Sequence, residues 1–259
     1  MPVLRRRQLS IGLIILGLLV LVNLAATTTG FGVIAGLRSI PAAFGWMGTH
    51  LIPTEKSWSH LPDILSALEQ TVLMAIAATV LAALCALFFS LAGARSTSSS
   101  AVLARSARII AAFFRNIPDV VWTIILLFSF GQNMLTGVIT LFFTSFGMLT
   151  RYFIEVIDAI CQESSEALAA AGANYLQIFA QGIYPSIIPE VIVWTLFMVE
   201  TNIRDATLIG ILTATGIGYV FNLFYTRMDF GSCGLIILLL AVVIVTLELV
   251  SGKVKELIV

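Results

Sequence analysis

Ser164–Pro185, SSEALAAAGANYLQIFAQGIYP, is a polar, alanine-rich interruption in a chain that is otherwise largely lipid-soluble. Glu166, Ala167, Gly172 and Pro185 fit the spacing E-A-x4-G-x12-P. Ala169–Ala171 and Leu176–Phe179 are good helix formers, and Gly172 between them lowers helix propensity. The pattern predicts two short helices bent at Gly172 and ended near Tyr184, because a proline disfavours helix at the residue before it. Ala167, Ala170, Ala171 and Asn174 recur at helical spacing, so one face carries only small side chains and lets another backbone approach closely.

Outside this stretch the composition is that of a bilayer protein. Apolar residues make up 59% of the 259 residues and charged ones 11%, far below the usual quarter. Mean hydropathy is +1.04, carried by several long apolar runs. Cys85, Cys161 and Cys233 are isolated, with no metal-ligand spacing and no expected disulfide, and His50 and His60 are too few for a metal site. No internal repeat, low-complexity tract or second soluble domain stands out.

The apolar runs predict an all-α membrane protein with six transmembrane helices, at about 11–26, 64–94, 107–130, 135–157, 187–212 and 235–250. Arg5–Arg7 before the first run has the layout of a signal peptide or of a retained anchor, and we read the anchor. Residues 27–62 carry Pro41, Pro53 and Pro62, which argue against one continuous helix, and Trp46 and Trp58, which suit a membrane–water boundary. A short interfacial helix and then a loop are expected there, and a loop again over Thr213–Asp229. Arg151 and Glu155, four apart, are placed to pair.

Charge distribution orients the bundle. Arg5, Arg6, Arg7, Arg95, Arg105, Arg108, Arg115, Arg151, Lys253 and Lys255 fall on the side of the N-terminus, against Arg38, Lys56 and Arg227 opposite. By the positive-inside rule both termini and the 158–185 loop are cytoplasmic and 27–62 is periplasmic.

Two polar insertions interrupt the spans. Glu200, Asn202, Arg204 and Asp205 lie roughly 20–27 Å up the fifth helix at ~1.5 Å rise per residue, at or beyond the bilayer midplane. A lone charge there costs at least ~2.5–3.5 kcal/mol, so such groups face a bundle interior or a wet cavity. Glu200 and Arg204 stand in the favourable order for an in-helix pair. These residues read either as a structural ion pair with polar helix contacts or as the lining of an oxyanion path. In the second reading Arg204 and Asn202 meet the cargo while Glu200 and Asp205 hold Arg204. Arg115, Asn116, Pro118 and Asp119 form the other insertion, read as a helix start at the headgroups or as a gate.

With these residues in place, the chain resembles the permease subunit of phosphonate ABC importers, within the type I importer superfamily. RNIPDVVW (Arg115–Trp122), the Glu166 loop and VETNIRDATLIGILTATGIG (Val199–Gly218) carry the resemblance. In the last, Glu200, Asn202, Arg204, Ala206, Thr207, Gly210, Gly216, Ile217 and Gly218 fall in the family's register. Leu168, Gly182 and Tyr184 depart from the usual Ala, Ile and Leu of the loop, Val199 replaces an aromatic, Asp205 replaces a small residue, and Thr213–Thr215 stands where a Gly-Ala-Gly-like run is usual.

The resemblance implies a non-enzymatic permease of the bacterial inner membrane that imports phosphonate, phosphate or phosphite. Its implied partners are a second permease copy or paralogue, a dimer of cytoplasmic ATP-binding subunits, an extracytoplasmic substrate-binding protein and the lipid bilayer, with no nucleic acid. No cofactor is expected on this chain, which lacks a phosphate-cradling Gly-x4-Gly-Lys-Ser/Thr motif; ATP and Mg would be bound by the partner ATPase. Glu166, Ala167, Gly172 and Pro185 are then the ATPase-coupling residues. The alternatives are a type I permease for another solute, such as an amino acid, and an ion-driven carrier, for which the paired broken helices are not found in the sequence.

Overall fold

The computed structural model describes residues 2–98, 100–174 and 177–258, and every regular element among them is helical. Met1–Ile52 form one compact unit and Pro53–Val259 a second. In the first, α1 (Pro2–Thr29) holds a 24-residue apolar stretch, Arg6–Thr29, long enough to cross a membrane. The chain turns at Gly30, with φ of +69°, into α2 (Val33–His50). Residues 27–62 are not one continuous helix, as expected, but Pro41 itself lies inside the 18-residue α2. One proline deletes a single intrahelical bond, and the helix continues around that loss.

The second unit carries α3 (Glu55–Ser59), α4 (Leu61–Gly93), α5 (Ala101–Asn116), α6 (Asp119–Phe130), α7 (Met134–Ala170), a π-helical turn (Ile178–Ile183), α8 (Tyr184–Thr213), α9 (Gly216–Thr226) and α10 (Phe230–Ile258). Five helices among the described residues are long and apolar enough to span a membrane, or six if α5 and α6 count as one broken span. The expected third span is that broken pair, bent by 89°. Proline 118 removes an N–H, and Ile117 before it is extended (φ −93°, ψ 121°), as the proline ring requires.

Small residues set how close the helices lie. Ala75, Ala78, Ala82 and Ala86 run down α4 at helical spacing and are fully buried, on the helix that pairs most extensively with α7. A Cβ on Gly147 of α7 would stand 2.6 Å from the Arg115 backbone nitrogen and 3.0 Å from the Ala111 carbonyl oxygen, so α5 packs backbone to backbone on α7. The Thr213–Asp229 loop expected from its glycines is helix α9 instead. Those glycines serve close packing: a Cβ on Gly210 would lie 2.5 Å from the Thr215 carbonyl oxygen, and one on Gly218 would overlap the Thr207 carbonyl oxygen. Gly216 and Ala214 supply the turn itself, both with positive φ. Thr71 of α4 fastens it, accepting the Ile217 N–H at 2.8 Å.

Candidate functional site

The polar residues of α8 divide between two jobs. Asn202 is fully buried, and its side-chain amide donates to Thr79 Oγ1 of α4 at 2.7 Å and to Ser145 Oγ of α7 at 2.6 Å. One side chain thus ties three spans where no water competes, and its Oδ1 has no partner. Arg204, two residues on, points elsewhere. Its side chain is 50% exposed while that of Glu200 is 15% exposed, and Arg204 Nη2 donates to Glu200 Oε1 at 2.6 Å. A carboxylate on the preceding turn fixes one edge of the guanidinium, and among the described residues its other N–H groups make no hydrogen bond.

The two polar insertions meet. Asp119, at the first turn of α6, and Asp205 of α8 lie near enough for their carboxyls to act on each other, and the Arg204 charge acts on Asp205. Arg115 and Asn116, exposed at the end of α5, and Pro118 form the break beside them. After the 89° bend the start of α6 lies beside the α8 charges.

The Glu166 segment is built differently from the expected pair of short helices. α7 runs on to Ala170 without interruption. The bend falls at Gly172, with φ of +85°, and is closed by the Ala173 N–H on the Leu168 carbonyl at 3.1 Å. Asn174 Oδ1 then accepts the Gln177 N–H and Gln177 Oε1 accepts the Asn174 N–H, each at 2.9 Å, a reciprocal cap for the next turn. The π-helical turn ends at Ile183 with Tyr184 as its cap, near the expected end, but the chain stays helical: Pro185 sits in the first turn of α8, a position that tolerates its missing N–H. Ala167, Ala170, Ala171 and Asn174 are exposed, and the side chain of Glu166 lies outside the described residues. Leu168 lies over Gly182, 2.7 Å from where a Cβ there would stand. The two departures from the family pattern therefore offset each other, a larger residue filling the room a smaller one leaves.

A clamp at the same end of the bundle was not anticipated. Asp158 of α7 accepts the Arg95 N–H at 2.6 Å and the Ser96 N–H at 3.4 Å, and its other oxygen accepts Arg108 Nη2 at 3.0 Å. Arg108 Nε donates to the Gly93 carbonyl at 2.8 Å, closing the end of α4 onto α5 and α7. The expected Arg151–Glu155 pair forms one turn away. A lone acid within Ile157-Asp158-Ala159-Ile160 was the available signal. At the opposite end Lys56 reaches Asp229 at 3.4 Å, and Asp229 caps α10 through the Ser232 N–H at 3.2 Å. Burial alone raises the Asp229 carboxyl, but the Ser232 contact and the Lys56 ammonium outweigh it and hold the group below the usual carboxylate range.

The fold is that of a type I ABC importer permease. It superposes on a chain of the inward-facing MetNI methionine ABC transporter with a TM-score of 0.68, at 16% identity, over 76% of this chain and 96% of that one. Residues 86–252 match the family described as binding-protein-dependent transport system inner membrane component, and the chain belongs to that family. It is 27% identical, over 96% of its length and 89% of the relative's, to the phosphite transport system permease protein PtxC of Stutzerimonas stutzeri. It is 26% identical to the phosphate-import permease protein PhnE of Mycolicibacterium smegmatis, over 72% of this chain and 35% of that longer protein. A putative cryptic phosphonate transport system permease protein of Escherichia coli, PhnE2, is 28% identical over 46% of this chain and 97% of its own. The chain is therefore a multi-pass inner-membrane permease subunit, of a family that works with an ATPase, a binding protein and a second permease.

Proposed function

We propose that this permease forms the path for a small phosphorus oxyanion, with Arg204 as the residue that meets the cargo. The observation that carries the reading is the division of labour on α8. Asn202 is spent inside the bundle, whereas Arg204 is half exposed, pinned by Glu200, and set at the level where α5 breaks from α6. A planar guanidinium held on one edge suits a tetrahedral oxyanion, which takes two parallel N–H donors. Relatives named for phosphite, phosphate and phosphonate support the same chemistry.

The 164–185 segment is the coupling element in this reading. Its exposed small-residue face seats in a cytoplasmic ATPase, and the uninterrupted α7 carries displacement of that face into the bundle. Both termini are on the same, cytoplasmic side. The test is uptake of labelled phosphite by cells carrying the complete transporter and no other phosphorus importer. Unlabelled phosphite, phosphate or an alkylphosphonate should compete and methionine should not. Competition by an amino acid alone would replace this reading with the other solute class.

A further inference from the structure

At the end of the bundle that carries the Glu166 segment, α5 and α7 enclose an open groove of about 690 Å³ lined by Arg95, Ser98, Ser100, Arg105, Arg108 and Arg151. Through Arg108 and Arg151 it continues into a recess of about 140 Å³ against Arg115, Glu155 and Asp158. Five guanidinium groups therefore face two carboxylates. Both carboxylates are already spent, Glu155 on Arg151 and Asp158 on Arg108 and two backbone amides. Among the described residues Arg95, Arg105 and Arg115 have no carboxylate partner, and all three are exposed. The first turn of the 16-residue α5 opens on the same groove at Ser100 and Ala101, and Ser100 Oγ takes only the Leu103 N–H.

The excess of positive charge is fixed in place. Arg108 is braced by Asp158 and the Gly93 carbonyl, so the groove does not collapse by one arginine swinging onto its neighbour's acid. Ala104, Ala107 and Ala111 are the buried residues of α5, and Ala104 and Ala111 form the apolar wall of the groove and recess from which Arg105, Arg108 and Arg115 rise. Unpaired guanidinium groups beside helix N-terminal amides recognise a tetrahedral oxyanion by bidentate, charge-assisted hydrogen bonds.

We propose that this arginine groove binds a phosphate-class oxyanion at the cytoplasmic end of the permease. The proposal rests on the orientation and cargo given above, and it adds a second anion site distinct from Arg204. The same chemistry is offered by cargo leaving the path and by the headgroup of an anionic lipid.

The test uses the full-length chain carrying Arg204→Ala, which silences the α8 cluster, in nanodiscs of phosphatidylcholine. Binding of labelled inorganic phosphate is measured by equilibrium dialysis with and without Arg95→Ala/Arg105→Ala. These two side chains brace nothing, so the double variant should fold, and unchanged elution and thermal unfolding check that it does. Loss of two guanidinium groups should weaken binding by about a hundredfold, about tenfold for each. Raising the ionic strength should weaken it further. A second arm counts phosphatidylglycerol retained by the two chains in native mass spectrometry. Phosphate binding lost in the double variant assigns the groove to a free oxyanion. Loss of retained phosphatidylglycerol without phosphate binding in the first arm assigns it to the headgroup. Equal behaviour of the two chains in both arms overturns the proposal. Uptake of phosphite that survives such a result would leave the cargo assignment standing, and groove binding in a transporter for another solute would do the reverse.

Discussion

The α8 cluster and the Glu166 segment are both polar interruptions of this chain, and they are satisfied in opposite ways. Around Asn202 the partners are internal: Thr79 and Ser145 take its amide, and Glu200 holds Arg204. Around Gly172 the backbone caps itself through Asn174 and Gln177, and the small residues Ala167, Ala170 and Ala171 stay exposed. The first region is fixed by the fold of its own chain. The second leaves a face of small side chains open, which in the proposed reading another chain covers. A substitution at Asn202 should therefore register in stability, and one on the exposed face of the second region in transport with stability unchanged.

The sharpest break in that comparison is Gly172→Pro, with Glu166→Lys beside it. Proline cannot adopt the φ of +85° found at Gly172, so the turn reopens. Uptake should fall to background while the amount of chain in the membrane is unchanged; normal uptake by both variants would remove the coupling role. Next is Asn202→Ala, which takes the Ser145 hydroxyl's amide partner away in the dry interior and leaves Thr79 Oγ1 with its bond to the Ala75 carbonyl. Thermal unfolding in detergent should report a loss of about 1–3 kcal/mol. A change within error would mean that the three-helix tie carries no stability.

The offset between Leu168 and Gly182 gives a third test, inside the exposed region but internal in its effect. Gly182→Ile alone should destabilise by about 1–3 kcal/mol through overlap with Leu168, and adding Leu168→Ala should restore most of it. Additive losses would show that the two positions do not share space. The smallest effect is expected at Asp229→Asn, below about 1 kcal/mol, because Lys56 is largely exposed. The folded Asp229 carboxyl titrates below its unfolded value. Its contribution is therefore present above the unfolded pKa of about 3.9 and is lost as pH falls through the lower folded one. The variant should differ from wild type near neutral pH and converge with it in acid.

Much of this was legible in the sequence, for identifiable reasons. Spans on α1, α4, α7, α8 and α10 follow from apolar runs that only a bilayer solvates. The Glu200–Arg204 and Arg151–Glu155 pairs follow from i,i+4 spacing, which needs no knowledge of the fold. Helix α9 was hidden because Gly216 and Gly218 signal a turn by composition, while Gly218 is there to let the Thr207 carbonyl approach. The end near Tyr184 was legible from Pro185, but not that α8 starts there at once, because proline marks both ends of a helix. Asp158 and the nearness of Asp119 to Asp205 could not be read locally. The Asp158 partners lie 50 to 63 residues away, brought in by the return of α4 through α5 to α7.

The central claim is that Arg204 meets a phosphorus oxyanion on its way through the bundle. Phosphite uptake by the reconstituted transporter, compared across wild type, Arg204→Lys and Arg204→Ala, tests it most directly. Arg204→Ala should abolish uptake with the complex intact, and Arg204→Lys should retain only part of it, because an ammonium keeps the charge without the two-pronged geometry. Undiminished uptake by a stably assembled Arg204→Ala complex would contradict the claim.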